Sequence, residues 1–182
     1  MSLEINQLIK NLSEYKIEPV TRDNYVEVGE IFATNPEFCL LSEGKEGGAE
    51  NALKEIDEGP PEFNLDNKFF VSLRKDGIII GILDFLNGFP TPDCMWIGLL
   101  MIHGNMHNKE IGSTIVKGVL KTAGDSGHRR VQLGVIEENV KALNFWQRMG
   151  FKKIGEKKME QENLGVLKMI VMEREVIKEK QN

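Results

Sequence analysis

Apolar and polar positions follow two different periods along this chain, and together they predict a mixture of helices and strands. Apolar residues that recur at helical spacing predict helices over residues 3–14, 23–33, 49–58, 111–124 and 139–149. Short apolar runs between turn residues predict strands over residues 15–21, 68–73, 78–85, 95–102, 131–136, 151–154 and 166–172. Strands and helices alternate only in the middle of the chain, and hairpins flank that part. The order therefore favours an α/β sandwich with a mixed sheet over a doubly wound dinucleotide-binding fold.

The pattern is weakest over residues 35–67, where short elements are separated by turn residues. Asn35 and Pro36 interrupt the preceding helix, residues 43–48 are rich in glycine and charge, and Gly59 with two prolines ends the next helix. Such a region is typical either of a substrate-binding lid or of a plain surface connection. Both interpretations stay open from the sequence.

The segment from Met95 to Ser113 is the one on which the functional interpretation depends. Its apolar first half predicts a central strand, a polar turn follows, and apolar periodicity from Ile111 predicts a helix packed on one face. A buried strand, a tight loop and a helix N-terminus direct several free backbone N–H groups at one point, where the helix dipole adds positive charge. The segment therefore predicts an anion site.

Length and composition describe one ordinary globular domain. The chain has 182 residues, of which 41% are hydrophobic and 28% charged, as is typical of a folded domain with a sizeable core. We expect a single domain over residues 1–182, with an N-terminal helical extension over 1–14 and a charged, frayed tail over 174–182.

Charge and cysteine usage narrow the choice of partners and compartment. The formal net charge of −5 argues against a nucleic acid or an anionic membrane as a partner. The sequence contains neither an apolar stretch that would span a bilayer nor a signal peptide. Cys39 and Cys94 match no metal-ligand or redox spacing, which is typical of structural thiols in a reduced compartment. We expect a cytoplasmic protein without a metal, and the sequence leaves a monomer and a homodimer equally open.

Two motifs carry a resemblance to a known family. The segment from Ile102 to Ser113 resembles the acetyl-CoA loop of the GNAT superfamily of N-acyltransferases, whose pattern is Arg or Gln, two residues, Gly, one residue, then Gly or Ala. The segment from Asn139 to Phe151 is similar to the family pattern Asn-x-x-Ala-x-x-x-aromatic-x-x-x-Gly-Phe, and is the more specific of the two. Taken with the order of elements, the resemblance covers residues 15–172.

The resemblance implies a GNAT-like fold and acetyl-CoA as the acyl donor. The implied fold is a mixed, mostly antiparallel central sheet, splayed at its centre and flanked by helices. The central strand would pair with the pantetheine arm, and the loop amides would bind the pyrophosphate. Asn139 would hold the pantetheine or cap a helix, and both roles stay open. The implied cofactor-binding residues are Leu100, Met101, Ile102, His107, Asn108, Lys109, Glu110, Ile111, Gly112, Ser113, Asn139, Ala142 and Trp146.

Three positions depart from the family pattern. His107 stands at the loop position of Arg or Gln, and Glu110 stands at the first loop glycine. A carboxylate there would weaken phosphate binding unless it points to solvent, which we expect. Trp146 stands where many members place a tyrosine that protonates the departing thiolate, and an indole N–H is a poor proton donor at neutral pH.

The proton acceptor is not identified by the sequence. The predicted strand over residues 95–102 has no ionisable side chain, so Asp84 and Asp93 are the nearest candidate carboxylates, each with an alternative interpretation as a solvated or turn-capping residue. His103 is expected to be structural. A nucleophilic role for Cys94 is not expected, because no nearby residue would lower its pKa.

The leading hypothesis is an N-acetyltransferase in which a primary amine attacks the thioester directly. The acceptor would be a small molecule or a peptide, and amides such as those of Met101 or Ile102 would polarise the carbonyl. The alternative is a catalytically degenerate acyl-CoA sensor, favoured by Glu110 and Trp146. A third possibility is a longer acyl donor, because Trp146 reshapes the thioester end.

Overall fold

A computed structural model describes residues 2–176, and seven strands in it form one open sheet. The spatial order is β1-β2-β3-β4-β5-β7-β6, and every neighbouring pair is antiparallel except β4 with β5. The strands are β1 Lys16–Pro19, β2 Lys68–Lys75, β3 Ile78–Asn87, β4 Cys94–Ile102, β5 Arg130–Ile136, β6 Lys152–Gln161 and β7 Gly165–Glu175. The predicted mixed, mostly antiparallel α/β sheet is confirmed.

Within residues 2–176, six α-helices cover the two faces of the sheet. They are α1 Leu3–Asn11, α2 Tyr25–Ala33, α3 Pro36–Glu43, α4 Ala49–Asp57, α5 Ile111–Asp125 and α6 Val140–Arg148. One hydrophobic core lies between the sheet and α1, α5 and α6, with Leu8, Ile115 and Trp146 among its members. The other lies between the sheet and α2 to α4, with Ile31 and Ala52 among its members. The candidate site lies at the middle of the sheet, between these two helical layers.

The sheet is splayed at its centre, as predicted. β4 pairs with β5 only through residues 94–97, opposite residues 130–133. Beyond that point β5 continues its pairing with β7 alone, and residues 99–102 of β4 pair only with β3. We call the space between residues 98–102 of β4 and the diverging end of β5 the central gap. One edge of a central strand therefore faces open space.

A β-bulge at Gly98 marks the closed end of the central gap. Asp84 of β3 is paired with Leu99 and the next residue, Phe85, with Ile97, so Gly98 has no partner in the register. A bulge of this kind locally bends a strand and redirects side chains, and glycine in a strand is typical of such a site. Gly98 itself is exposed.

Several predicted boundaries were wrong. Asn35 and Pro36 do interrupt the preceding helix, since α2 ends at Ala33, but a further helix that was not predicted, α3, begins at Pro36, where proline is tolerated because its missing N–H has no helical partner anyway. The loop predicted over residues 43–48 begins one residue later than predicted, at Gly44, because Glu43 is the last residue of α3. β6 and β7 are both longer than predicted. β6 is an exposed, charged edge strand that lacks an apolar signal, and β7, which lies between β5 and β6, extends beyond its buried middle into charged residues. Arg174 and Glu175 belong to β7 instead of a frayed tail, and residues 177–182 lie outside the described part of the chain.

Candidate active site

The exposed edge of β4 offers main-chain groups to the central gap. The N–H of His103 donates to the Ile80 carbonyl of β3 at 2.9 Å. Since main-chain groups alternate between the two sides of an antiparallel strand, Leu99 and Met101 also face β3, whereas Leu100 and Ile102 face the central gap. The Ile102 carbonyl is already used, because Asn35 Nδ2 donates to it at 2.9 Å and His107 Nε2 lies at 3.0 Å.

This alternation corrects one of the predicted cofactor contacts. The amide of Met101 points at β3, so it is not available to polarise a carbonyl in the central gap. Its side chain is buried in the core beneath α2. The N–H of Ile102 and both main-chain groups of Leu100 do face the central gap.

The loop after β4 carries six consecutive free amides. Among residues 2–176, no backbone or side-chain acceptor satisfies the N–H groups of residues 108–113. Asn108 and Glu110 adopt left-handed conformations, with φ of 61° and 58°, and alternation of this kind curves successive amides around a common point. The predicted residues 107–113, which we call the anion loop, thus have the geometry of an anion site at the N-terminus of α5.

The left-handed backbone explains the glycine in the family pattern at the position of Glu110. A residue with a Cβ is disfavoured there by roughly 1–2 kcal/mol, although its amide is as available as that of glycine. The Glu110 side chain makes no capping hydrogen bond and is exposed. Its carbonyl accepts from Ser113 Oγ at 2.8 Å. Lys109, also exposed, has its Nζ 3.6 Å from Met106 Sδ.

Three elements meet beside the anion loop. A Cβ built on Gly112 in the first turn of α5 would lie 3.4 Å from Phe145 Cζ of α6 and 3.8 Å from Ile102 Cγ1 of β4. The structure therefore brings the predicted residues of β4 and α5 together and adds Phe145. The sequence interpretation missed Phe145 because it assigned the aromatic position of the motif to its neighbour Trp146.

The N-terminus of α6 is capped by Asn139. Its Oδ1 accepts from the Ala142 N–H at 3.1 Å, so the helix-capping interpretation holds, and Ala142 is partly buried. Trp146 lies deeper, only 7% exposed, with its ring 5.0 Å from that of Phe145 and 5.1 Å from that of Phe151. It is first of all a core residue, and its predicted contact with a thioester stays a prediction.

Three of the other ionisable candidates are accounted for by local structure. Asp93 precedes β4 at the end remote from the anion loop, and its hydrogen bonds with Thr91 and Arg130 lower the pKa of its carboxyl. His103 Nδ1 accepts from the Asn105 N–H at 3.2 Å, as a structural histidine would. Burial raises the pKa of the Cys94 thiol to about 12, which excludes a thiolate nucleophile at neutral pH.

Asp84 is placed differently, because it lies at the bulge. Its side chain faces α2 to α4 and is 2% exposed, and Oδ2 forms an ion pair with Lys68 Nζ at 3.1 Å. A Cβ at Gly98 would lie only 2.3 Å from Asp84 Oδ1. The absence of a side chain at position 98 therefore lets this oxygen lie directly beside Gly98, the exposed residue at the closed end of the central gap.

An aromatic cluster stands on the same face as Asp84. Trp96 lies opposite Leu86, two residues along β3 from Asp84, and is partly buried. The Phe89 ring packs edge-on at 5.7 Å from the Trp96 ring, and Phe63 packs in the same way on Phe89 at 5.6 Å. Lys157 Nζ lies 5.7 Å from the centre of the Trp96 ring. These rings form an apolar wall beside the bulge.

The region over residues 35–67 bridges the two halves of the sheet. Glu37 of α3 pairs with Lys141 of α6 at 2.5 Å. At the other end of α3, Gln161 Nε2 donates to the Ser42 carbonyl at 2.9 Å. The region is therefore more than a connection over the surface, since α3 contacts both α6 and the β6–β7 hairpin.

The described residues contain neither a clustered set of metal ligands nor a candidate membrane-spanning helix. Within residues 2–176, no group of three His, Cys, Asp or Glu side chains is arranged to hold a metal ion. No helix in the same range has the length and apolar character needed to cross a bilayer.

Splayed strand, free amides and α6 motif together define a known class of protein. The sequence profile of the acetyltransferase (GNAT) family matches residues 14–151, and the chain belongs to that family. No functionally curated protein matches the chain significantly in sequence.

Solved structures share the whole fold. An acetyltransferase from Thermus thermophilus aligns with a TM-score of 0.68 at 21% identity, over 88% of this chain and 96% of its own. The ribosomal-protein-alanine N-acetyltransferase of Brucella melitensis aligns with a TM-score of 0.63 at 16% identity, over 88% and 99%. The yncA protein of Salmonella typhimurium, solved with its cofactor acetyl-CoA, aligns with a TM-score of 0.61 at 12% identity, over 92% and 97%. At these identities the likeness establishes the fold.

Proposed function

We propose that this protein transfers an acetyl group from acetyl-CoA to a primary amine on a small molecule or a peptide. The observation that carries the proposal is the run of six free amides at residues 108–113 beside the open edge of β4. A diphosphate satisfies such amides, and an amide-bearing pantetheine arm satisfies an open strand edge. Family membership and the acetyl-CoA complex of yncA support the same donor.

Each element of the site has a defined task in this proposal. The anion loop holds the diphosphate, with Lys109 as an additional exposed charge. Leu100 and Ile102 align the arm along β4, and the N–H of Leu100, the nearer of the two to the closed end of the central gap, is the candidate for polarising the thioester carbonyl. The amine then attacks directly in a ternary complex, and holding the two reactants together can supply roughly 7–11 kcal/mol.

The loss of the family tyrosine is tolerable in this reaction. A thiolate is a good leaving group, so the position of Trp146 does not have to supply a proton, and water can protonate the thiolate after it departs. Release of CoA would therefore not require a strong acid in the protein.

The test is a binding and turnover experiment with defined probes. Titration calorimetry with acetyl-CoA measures binding, and a thiol reagent measures CoA release with 1,4-diaminobutane, spermidine, 2-phenylethylamine and a tetrapeptide with a free amino terminus. We expect saturable binding and CoA release that at least one amine accelerates. Absence of acetyl-CoA binding would refute the proposal.

The second candidate function is an acyl-CoA sensor that has lost its chemistry. The observations in its favour are the left-handed Glu110 in the anion loop and Trp146 in the core. It predicts acetyl-CoA binding with no amine-stimulated CoA release across the panel. A donor series from acetyl- to longer acyl-CoA, ranked by turnover, tests whether the site prefers another acyl chain.

We also propose a cytoplasmic protein that acts on neither nucleic acid nor membrane, as a monomer or a homodimer. Its two cysteines are buried and free, which fits a reduced compartment, and its net charge of −5 disfavours a polyanionic partner. The acidic charge also mildly favours a cationic amine as acceptor.

A further inference from the structure

The closed end of the central gap is where a thioester aligned along β4 would present its carbonyl. β4 and β5 separate after residue 97, and Gly98 is the first residue of the open edge. Gly98 is exposed and has no partner in the register. The ionisable group that faces this point is Asp84 Oδ1, which lies directly behind the missing Gly98 side chain.

Asp84 is the inner end of a chain of three charged side chains. Lys68 Nζ of β2 lies 3.1 Å from Asp84 Oδ2 and 2.8 Å from Glu55 Oε1 of α4. Lys68 Nζ also donates to the Glu58 carbonyl at 2.7 Å. Exposure of the side chains rises outward along the chain, from 2% for Asp84 to 6% for Lys68 and 28% for Glu55. A buried ion pair adds little stability as a rule, so its presence here calls for another explanation.

We propose that Asp84 is the proton acceptor of the acetyl transfer, and that Lys68 and Glu55 are positioning residues that orient its carboxylate and set its charge. The inference rests on the proposed acetyltransferase function and extends it to residues that the family motifs do not contain. Asp84 Oδ1 acts through the opening at Gly98, and Oδ2 is held by Lys68.

The proton and electron balance of the step is simple. The amine nitrogen forms a bond to the thioester carbonyl carbon, and the carbon–sulfur bond breaks with its electron pair leaving on the CoA sulfur. The nitrogen loses one proton to Asp84 Oδ1, which becomes a neutral carboxyl group. Water removes that proton when the products leave, and the next cycle begins with the carboxylate.

The charges around Asp84 suit this role. Burial raises the pKa of Asp84 to about 7, the Glu55 carboxylate acts in the same direction, and the Lys68 ammonium opposes both. Burial lowers the pKa of Lys68, but the two carboxylates outweigh it and the net pKa is raised, so Lys68 stays charged. Residues 94–102 of β4 contain no titratable group other than Cys94, and on α2 Glu27 and Glu30 face Arg74 and His103. A base with a pKa near neutrality combines the correct charge with a useful driving force.

The first experiment removes the carboxylate or blocks its access. With the best amine of the panel above, Asp84→Asn is expected to lower kcat by about 100- to 10,000-fold. Gly98→Ala is expected to lower kcat strongly as well, because its Cβ would lie 2.3 Å from Oδ1. The matched controls are Asp66→Asn, an exposed aspartate, and Gly155→Ala, whose Cβ would meet nothing within 4 Å. Both controls should retain wild-type kcat, and acetyl-CoA binding should persist in all four variants.

The second experiment reads the pKa and remains informative if Asp84→Asn does not fold. Because activity needs the carboxylate, kcat/KM rises with pH through the pKa of Asp84. Glu55→Gln removes a negative charge and should move this rise of kcat/KM to lower pH. Lys68→Met removes a positive charge and should move the rise to higher pH. If Glu55 and Lys68 were merely structural, the two substitutions would not shift the pH profiles of kcat/KM in opposite directions.

The outcomes separate this inference from the proposed function. Two results would overturn the role of Asp84 alone. One is that Asp84→Asn turns over as fast as the wild type. The other is that Glu55→Gln and Lys68→Met do not shift the pH at which kcat/KM rises in opposite directions. Carbon-13 NMR of the Asp84 carboxyl in the unliganded protein gives a readout without turnover. A midpoint near that of an ordinary aspartate, unchanged by Glu55→Gln, would also overturn it. Failure of the wild type to bind acetyl-CoA would refute the acetyltransferase assignment instead.

Discussion

At the scale of single residues, the structure shows that the position of Glu110 has a backbone requirement that the sequence did not reveal. Glu110 occupies a glycine position of the family motif, and its φ of 58° explains why glycine is usual there. The sequence alone raised only the question of charge near a phosphate. The conformational question was invisible to it, because backbone angles in a loop depend on how the flanking strand and helix are oriented.

Glu110→Gly should raise the free energy of unfolding by about 0.5–1 kcal/mol. Relief of a left-handed residue is worth roughly 1–2 kcal/mol, and the entropy of the new glycine offsets about 0.5–1 kcal/mol of it. Urea denaturation measures the change. Glu62→Gly is the matched control, because Glu62 has a φ of 63° in a loop outside the candidate site. Both variants should gain stability, and a loss in either would contradict the strain argument.

At the scale of elements, the helices and strands that pack on the core could be predicted from the sequence. The elements that are mostly exposed could not. The apolar stripe of α5 and the apolar run of β4 are recognisable in the sequence, because α5 packs on the core and both faces of the sheet are covered at β4. α3 buries only Cys39, and β6 is exposed along almost its whole length, so neither has a clear period. In the candidate site, the loop and α6 were predictable from motifs, whereas the place of Phe145 and the approach of Asp84 Oδ1 to Gly98 depend on tertiary contacts.

The anion loop should bind acetyl-CoA mainly through its amides. Lys109→Gln is therefore expected to weaken binding only about two- to fivefold at low salt and hardly at all at high salt, since an exposed charge is screened. Lys117→Gln, at an exposed position on the α5 helix that follows the anion loop, should have no effect at either ionic strength. Calorimetry at two salt concentrations is the measurement. A loss of more than tenfold at high salt would mean that the side chain, not the backbone, is the principal ligand.

Trp96 on β4 should contribute to binding of the amine and not to binding of the acyl donor. It stands on the face of the sheet opposite Ile97, whose side chain lies in the core beneath α5. Trp96→Ala is therefore expected to raise the KM for an amine such as 2-phenylethylamine several-fold without changing the Kd for acetyl-CoA. Steady-state kinetics and calorimetry separate the two. Equal effects on both ligands would show that the aromatic wall does not belong to the acceptor side.

At the scale of the whole molecule, the two halves of the sheet are joined at the centre by few contacts. Strands β1 to β4 and strands β5 to β7 meet through four residue pairs between β4 and β5, and α3 adds links on one side. The hydrophobic pattern predicted the strands, and the family resemblance predicted that the sheet is splayed; the number of residue pairs that remain between β4 and β5 could not be predicted, because the length of a strand does not state how far each of its edges is paired.

Hydrogen exchange should reveal the unpaired edge residue by residue. In the unliganded protein, the amides of Leu100 and Ile102 should exchange faster than those of Leu99 and Met101, which face β3. Acetyl-CoA should slow the first pair and change the second pair little. Equal protection of all four without ligand would mean that the edge is already closed.

In the proposed complex, the acyl donor would strengthen the four-pair junction between the half-sheets as well as react. A molecule lodged in the wedge would tie the half-sheets together like an eighth strand, so the rigidity of the folded chain should rise and fall with every catalytic cycle. Cells short of acetyl-CoA would then hold this protein in a looser and more protease-sensitive form.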